Sequence, residues 1–169
     1  TNFKEIKNIE YSLSLMNWDQ SVNMPLGGGS SRADIMGTLS KIAHEKFLDS
    51  SFSDKIDNLI ADKDFNSLSE NKRREILKIG KEAKRAKKIP VSYAEDLTRT
   101  TAKAMSIWEE AKSKSDDSLF LPILKKVFDL KKKYSDLVGY EVDPYDALLD
   151  DYDEGLTYSY IRPIFENLE

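Results

Sequence analysis

Residues 122–139 read PILKKVFDLKKKYSDLVG and contain the clearest helical pattern in the chain. Apolar side chains recur there at intervals of three or four positions, which places them on one face of an α-helix. They are Ile123, Leu124, Val127, Leu130, Tyr134 and Leu137. Pro122 fits the first turn of such a helix, and Gly139 is well placed to cap its carboxyl end. A helix with one apolar face needs partners, so the neighbouring segments decide the fold class.

The amino-terminal segment predicts a helix followed by a loop. Helical spacing is already present at Phe3, so the first helix begins almost at the first residue. Met24-Pro25 and the glycines at 27–29 break helices. We therefore expect residues 17–30 to form a loop.

Further helices are predicted between this loop and residue 122. Ser31 begins a capping box over residues 31–34 and predicts the start of a second helix. Its apolar stripe is expected to contain Ile35, Leu39, Ile42, Ala43 and Phe47. After a short amphipathic segment near Ile56, a long helix is expected over residues 69–88, because Pro90 stops it. Another capping box, over residues 92–95, predicts the next helix.

These predicted helices indicate an all-α fold. No segment alternates apolar and polar residues for long enough to predict a strand. Short connections between the helices favour antiparallel packing, so we expect one helical bundle-like domain over residues 1–169. The first helix has almost no residues before it, and an apolar face continues to Glu169 without a cap. We therefore expect this sequence to be a piece of a longer protein.

Composition excludes several classes of protein. Apolar residues make up 40% of the chain and charged residues 33%, which fits a water-soluble helical protein rather than a membrane or disordered protein. No apolar run approaches the roughly 18 residues needed to span a bilayer. The chain contains no Cys, and its amino terminus lacks the pattern of a signal peptide. We therefore expect a cytoplasmic location.

Candidate catalytic residues are scarce. His44-Glu45 matches the first half of the zinc-protease pattern H-E-x-x-H, but Leu48 occupies the position of the second His. Catalytic zinc generally takes three protein ligands, and this chain has one His and no Cys. Ser-His-Asp and Cys-His arrangements need a base, and a single His is available to serve every possible nucleophile. We therefore predict no metal or catalytic site in this chain and an ordinary helical role for His44.

Charged residues are unevenly distributed. Residues 72–88 contain nine basic and two acidic residues, whereas residues 141–154 contain seven acidic residues and no basic one. The basic segment offers no aromatic side chain to stack on bases, so we expect it to pair with the acidic remainder. The acidic segment does not match the EF-hand pattern, and its carboxylates are expected to cap helices and turns. A stand-alone module that binds an acidic partner through residues 72–88 remains the alternative function.

The glycines at 27–29 also precede a helix, where free backbone amides can hold an anion. They lack the Gly-Lys-Ser/Thr ending of a phosphate loop and no strand precedes them. A flexible loop is therefore the preferred interpretation.

Three segments together resemble the carboxypeptidase Taq family of zinc metallocarboxypeptidases. They are LMNWDQ at 15–20 with the residues that follow, the region around Trp108, and DPYDALLD at 143–150, which is the most specific. The residues that carry the resemblance are Trp18, Asp19, Met24, Pro25, Arg32, Trp108, Pro144, Tyr145, Asp146, Leu149, Asp150 and Gly155. Their order and spacing cover almost the whole chain.

The resemblance implies the amino-terminal part of a considerably longer enzyme, all-helical and similar to the neurolysin and angiotensin-converting enzyme group. Such enzymes release single residues from peptide carboxyl ends with zinc or another divalent metal, and they are usually cytoplasmic homodimers. The family's metal ligands and its H-E-x-x-H motif match nothing in this chain. The resemblance therefore predicts that the chain alone is inactive.

The remaining expectations concern partners and the motif residues. The expected partners are the carboxyl-terminal catalytic part of the same protein, peptide substrates and a second copy, without nucleic acid or membrane. An exposed apolar patch is expected where the catalytic part docks. The segments at 18–19 and 144–150 are expected to pack and cap helix ends.

Overall fold

The computed structural model describes residues 2–168, and of these it leaves out the side chains of Asn2 and Leu26. Within this range the chain forms eight α-helices and three short 3-10 turns, with no β-strand. The helices are α1 (Asn2–Val22), α2 (Gly29–Leu48), α3 (Ser50–Ala61), α4 (Glu70–Lys87), α5 (Val91–Lys114), α6 (Leu121–Val138), α7 (Pro144–Leu149) and α8 (Tyr158–Glu166). The all-α prediction is confirmed. No described helix is both long enough and apolar enough to cross a bilayer.

Helices α2 and α5 form the central pair of the fold. Helix α2 also contacts α1, α3 and α4, whereas α6 packs on α5 and α7 packs on α6. The two central helices approach closely at Gly37, where an added Cβ atom would lie 3.3 Å from Cβ of Arg99. Beside this contact, the Thr98 hydroxyl donates a hydrogen bond of 2.9 Å to Ser40. Small and hydroxyl-bearing residues therefore determine the central packing.

Three separate clusters of buried side chains make up the core. The first joins α1, α2, α3 and α4 through Ile6, Phe47, Phe52, Ile56, Ala83 and Ala86. The second joins α5, α6 and α7 through Tyr93, Leu130, Tyr134, Val138 and Ala147. The third lies between them, where Ala33, Met36 and Ala102 connect α2 and α5. Helices α2 and α5 thus take part in two clusters each.

The helices predicted over 69–88 and 122–139 are confirmed. The first is α4, whose amino-terminal cap is Ser69, and the second is α6. Gly139 caps α6 as expected, with a φ of 86° and a hydrogen bond of 2.8 Å from its amide to the Ser135 carbonyl. This left-handed φ is one that glycine adopts without strain.

The loop predicted over residues 17–30 is shorter in the structure, where the connection between α1 and α2 covers residues 23–28. Helix α1 continues to Val22 because no helix breaker occurs before Pro25, and it ends where the amides of Asn23 and Met24 both donate to the Asp19 carbonyl. The glycines at 27–29 lie in a 3-10 turn and in the first turn of α2. Gly29 is required there by space, since an added Cβ atom would lie 2.3 Å from Oγ of Ser106.

Both predicted capping boxes are wrong. Helix α2 begins before Ser31, with Gly28 at its cap, and α5 begins directly after Pro90. Neither cap residue receives a hydrogen bond through its side chain. Pro90 fixes an extended backbone before α5, so the helix starts two residues earlier than a box with Ser92 as its cap predicts.

The apolar stripe predicted for α2 is only partly buried. Ala43 and Phe47 face the core, whereas Ile35 and Ile42 are exposed. The buried face of α2 instead includes Ala33, Met36 and Gly37, because small residues allow α5 to approach. Helix α2 therefore has apolar side chains on two faces.

Candidate functional site

His44 lies on the inner side of α2 and is 9% exposed. Its Nε2 atom is 2.6 Å from the carbonyl oxygen of Ile89, in the connection between α4 and α5. A carbonyl oxygen only accepts hydrogen bonds, so Nε2 carries the proton and donates. This contact connects α2 to the residues that follow α4. His44 is expected from the sequence to be a helix residue that is either partly buried or facing water, and the structure shows it in a helix and buried.

The donor groups of residues 2–168 do not fit a catalytic metal ion. Within residues 2–168, no three His, Cys, Asp or Glu side chains come together in a way that could hold one. The only imidazole in the sequence already uses Nε2 for the Ile89 carbonyl. A catalytic zinc site normally has three protein ligands, and the described side chains do not supply them at one place.

A polar groove of approximately 570 Å³ lies beside His44. His44 and Phe47 of α2 line it together with Lys81 and Arg85 of α4 and with Asp150, which follows α7. The groove brings the basic helix next to the acidic segment, which we define as residues 141–154. Its charged side chains bond mainly to each other.

Four ion-pair contacts attach the acidic segment to α4. Arg85 donates to Asp150 at 2.9 Å and to Asp151 at 2.7 Å, and Lys81 bonds to Glu154 at 2.6 Å and to Asp150 at 3.3 Å. The predicted pairing of basic and acidic segments is confirmed at these positions. Burial alone would raise the pKa of Asp150, but the Gly155 amide and the charges of Lys81 and Arg85 hold that pKa below its ordinary value.

Tyr134 of α6 extends these ion pairs into the core. Its hydroxyl donates a hydrogen bond of 2.7 Å to Asp151, and its ring lies 6.0 Å from the Arg85 guanidinium. Burial, followed by the bond to Asp151, raises the pKa of Tyr134 well above its ordinary value. A neutral, bound phenol therefore connects α6 to the acidic segment. We call this network of side chains the α4 latch. It consists of Arg85, Lys81, Asp150, Asp151, Glu154 and Tyr134.

Carboxylates of the motif at 143–150 cap the helix and the turns that the motif forms, as the sequence predicts. The Asp143 carboxylate accepts from the Tyr145 amide at 2.8 Å and caps α7. Asp146 completes this capping box and also accepts from the Tyr158 amide, at 2.6 Å, at the start of α8. Asp150 accepts from the Gly155 amide at 2.9 Å, where φ is 84°. The predicted capping role of these carboxylates is confirmed.

The motif at 15–32 joins the end of α1 to the start of α2. Arg32 donates to the Asp19 carboxylate at 2.5 Å and to the Met16 carbonyl at 2.9 Å. Met24 packs beside Gly28 in the connection, directly before Pro25. The structure therefore places Asp19 and Arg32 in direct contact.

Trp18 lies on the opposite side of α1 and is 60% exposed, so it packs against nothing substantial within the described chain. The packing role expected for Trp18 therefore stays a prediction, which the described residues alone do not account for. Trp108 is partly exposed, at 40%, with the Lys112 ammonium 4.9 Å from its ring centre. Tyr145 is half exposed and meets Tyr158 edge to face. The aromatic motif residues are therefore at the surface.

Sequence reasoning missed a second apolar face on α1, which we call the outer stripe. It consists of Tyr11, Leu15, Trp18 and Val22, which are 67%, 49%, 60% and 61% exposed. Their intervals of four, three and four residues place them on one side of the helix. This spacing is visible in the sequence. The inner face packs on the first and third core clusters through Ile6, Leu13 and Met16.

The similarity to known proteins extends over the whole chain. The family profile of the carboxypeptidase Taq (M32) metallopeptidases matches residues 1–169. The chain is 35% identical over 167 residues to thermostable carboxypeptidase 1 of Pyrococcus furiosus, a match that covers 99% of this chain. It is 33% identical over 166 residues to carboxypeptidase 1 of Bacillus subtilis, covering 98% of this chain. In both cases it spans 33% of the relative's length.

Solved structures show the same similarity. A crystal structure of the protein designated BsuCP matches 98% of this chain with a TM-score of 0.88 and 33% identity, and 34% of its own length is covered. The Pyrococcus furiosus carboxypeptidase structure matches 99% with a TM-score of 0.76 and 34% identity, over 33% of its length. Because the family profile matches residues 1–169, this chain belongs to the carboxypeptidase Taq (M32) family of metallopeptidases.

Proposed function

We propose that this chain forms one helical wall of the substrate groove in a metal-dependent carboxypeptidase. Such an enzyme releases single residues from the carboxyl ends of peptides. The observation that carries the proposal is the family match over all 169 residues. The resemblance implies a deep substrate groove between helical halves, as in the neurolysin and angiotensin-converting enzyme group, and the all-helical content of the described residues supports this architecture. In this arrangement, residues 1–169 act as a single amino-terminal domain.

The catalytic chemistry is assigned to the part of the family's length that this chain does not match. The chain has one imidazole and no thiol, and residues 2–168 bring no three His, Cys, Asp or Glu side chains together, so we assign zinc or another divalent metal to that other part. His44 receives no catalytic role, because its Nε2 atom bonds to a backbone carbonyl. The chain alone is therefore inactive. A cytoplasmic, homodimeric parent enzyme follows from the family resemblance, and the Cys-free composition supports its location.

The family-motif residues are proposed to have structural roles. Asp19 and Arg32 fix the angle between α1 and α2 through the 2.5 Å ion pair, and Asp146 and Asp150 fix the chain on both sides of α7. A rigid wall matters for a hydrolase because small displacements of groups that hold the substrate strongly reduce the rate.

Helix α4, which contains most of the basic segment 72–88, is a weaker candidate for function. Lys81 and Arg85 bond to the acidic segment, and Lys88 donates to the Val138 carbonyl at 2.5 Å. These contacts occupy part of the charge that an acidic partner would need. We therefore prefer the enzyme over the stand-alone interaction module.

An activity assay tests the proposal with two proteins. The first is the 169-residue chain, and the second is a chimera in which this chain replaces the matching third of Bacillus subtilis carboxypeptidase 1. Each is incubated with an amino-blocked dipeptide and Zn²⁺, Co²⁺ or Mn²⁺, and release of the carboxyl-terminal residue is measured by mass spectrometry. We expect no release by the chain alone and chelator-sensitive release by the chimera. The matched control is the same chimera with Glu→Gln in the relative's H-E-x-x-H motif.

Two results would contradict the proposal. Chelator-sensitive release by the 169-residue chain alone would show that it contains its own active site. A chimera that folds but releases nothing, under conditions where the native Bacillus subtilis enzyme works, would show that this chain cannot serve as the wall.

A further inference from the structure

The outer stripe makes α1 apolar on two opposite faces. On the inner face Ile6 is completely buried, and Leu13 and Met16 pack against the third core cluster. On the other face, all four side chains of the outer stripe are at least 49% exposed. A helix that is apolar on both sides is typical of a helix buried between two layers. Within the described chain, only one of these layers is present.

Charge is nearly absent around the outer stripe. Residues 11–22 read YSLSLMNWDQSV, with a single charged residue in a chain that is 33% charged. That residue, Asp19, is paired with Arg32. Covering this surface would therefore bury no unpaired charge from residues 11–22, so the usual cost of desolvating ions does not arise there. The absence of Lys and Arg here also distinguishes the surface from a membrane-binding helix, whose polar face is usually basic.

The size of the surface indicates what kind of partner covers it. A stable association between separate molecules usually buries about 800 Å² on each partner, from roughly 20–30 residues. Four side chains on one helix supply much less. A partner on the same polypeptide loses far less translational and rotational freedom on docking, so a small apolar contact is enough. The same fold accounts for only 34% of the chain in the solved relative that matches with a TM-score of 0.88.

We propose that the outer stripe of α1, residues Tyr11, Leu15, Trp18 and Val22, is the docking surface for the metal-bearing part of the carboxypeptidase fold. This inference rests on the proposed function, because it assigns the contact between this wall and the catalytic part. Trp18 is its central anchor, since it is the largest side chain of the stripe and has neighbours on both sides. Its membership of the family-resembling motif is then explained by docking rather than by packing inside residues 2–168.

A thermal unfolding experiment on two proteins tests the docking. The double substitution Leu15→Ser with Val22→Ser is made in the 169-residue chain and in the chimera described above. In the isolated chain both side chains already contact water, so we expect the Tm to change by no more than about 1 °C. In the chimera we expect a loss of roughly 5 °C or more, because both side chains are buried there. The control is Tyr152→Ser, an 87% exposed side chain outside α1, with no loss expected in either protein.

The outcomes separate docking from the proposed function. Loss of Tm in a folded chimera without carboxypeptidase activity supports docking and contradicts the function. An active chimera whose Tm is unchanged by the double substitution overturns docking alone. An equal loss from Tyr152→Ser also overturns the assignment to α1. If the chimera does not fold, serines at the aligned positions of the intact Bacillus subtilis enzyme replace it, and an unchanged Tm there overturns the inference.

A second copy of this chain is the competing occupant. Sedimentation analysis of the 169-residue chain distinguishes it. A dimer that the Leu15→Ser and Val22→Ser substitutions convert to a monomer would assign the outer stripe to self-association and overturn the inference. A monomer with and without the substitutions supports docking within one polypeptide.

Discussion

Replacing Arg85 with Met tests the α4 latch most directly. The substitution keeps an unbranched apolar stem of similar reach but removes the guanidinium. It therefore removes the hydrogen bonds of 2.9 Å to Asp150 and 2.7 Å to Asp151, together with the contact to the Tyr134 ring. It also leaves two carboxylates with one cation fewer. We expect a clear loss of stability without a change of fold.

The size of this loss follows from the burial of the partners. A hydrogen bond to a charged group contributes about 1.5–3 kcal/mol when well shielded, whereas exposed ion pairs contribute about 0.2–1 kcal/mol. The side chains of Arg85 and Asp150 are 22% and 21% exposed, which places the pair between these limits. We therefore expect a loss of about 2 kcal/mol in the free energy of unfolding. For a domain of this size that corresponds to a decrease in Tm of about 4–8 °C.

The assay is urea unfolding followed by circular dichroism, with Arg74→Met as the matched control. Arg74 is on the same helix and pairs with Glu70, but its side chain is 74% exposed, so we expect a loss of no more than about 0.5 kcal/mol. A double-mutant cycle with Asp150→Asn should give a coupling energy of about 1 kcal/mol. Equal losses from Arg85→Met and Arg74→Met, or no coupling to Asp150, would refute the reasoning.

Three further predictions concern the core, the central contact and high pH. Ile6→Ala removes a completely buried side chain and should lower the free energy of unfolding by about 3 kcal/mol in urea titrations. Gly29→Ala should cost about 1–3 kcal/mol because its Cβ atom meets Ser106, whereas Gly27→Ala, with open space around it, should cost much less; equal costs would contradict the steric argument. Burial raises the pKa of Tyr93 to about 12, so its contribution to stability is complete below pH 10 and is lost as the pH rises towards 12. Absorbance titration at alkaline pH should show one late-ionising tyrosine fewer in the Tyr93→Phe variant.

Helices with one apolar face and clear ends could be predicted from the sequence. Helix α6 is an example, because Pro122 and Gly139 mark its limits and its periodic residues include the buried Leu130 and Tyr134. Helix α4 is another, because Pro90 follows it closely. In both cases local backbone preferences and tertiary packing favour the same boundaries.

The start of α2 could not be predicted in this way. Its glycines suggest a loop, but the close approach of Ser106 requires a residue without a side chain at position 29. The buried face of α2 also differs from the predicted stripe, because Ile35 and Ile42 are exposed and the small residues Ala33 and Gly37 contact α5 instead. Which face of a helix is buried depends on the distance to its neighbour, and that distance is not encoded in periodicity.

The sequence predicts where the charges of the candidate site lie, but it does not predict which contacts its side chains make. The opposite charges of residues 72–88 and 141–154 predicted an electrostatic pairing, which the α4 latch confirms. The bond between His44 and the Ile89 carbonyl joins residues 45 positions apart and depends on the tertiary fold. The outer stripe of α1 had the right spacing, but a helix with two apolar faces does not reveal which one the neighbouring helices cover.

The division of the core into three clusters predicts how the molecule opens in its native state. Helices α2 and α5 each belong to two clusters, so their amides exchange with deuterium only when both clusters open. Helix α8 has no buried residue and contains Pro163, so its amides are expected to exchange first. The chain thus consists of cooperative units of unequal stability, in which the central pair is the last to open and the end that follows the acidic segment is the first.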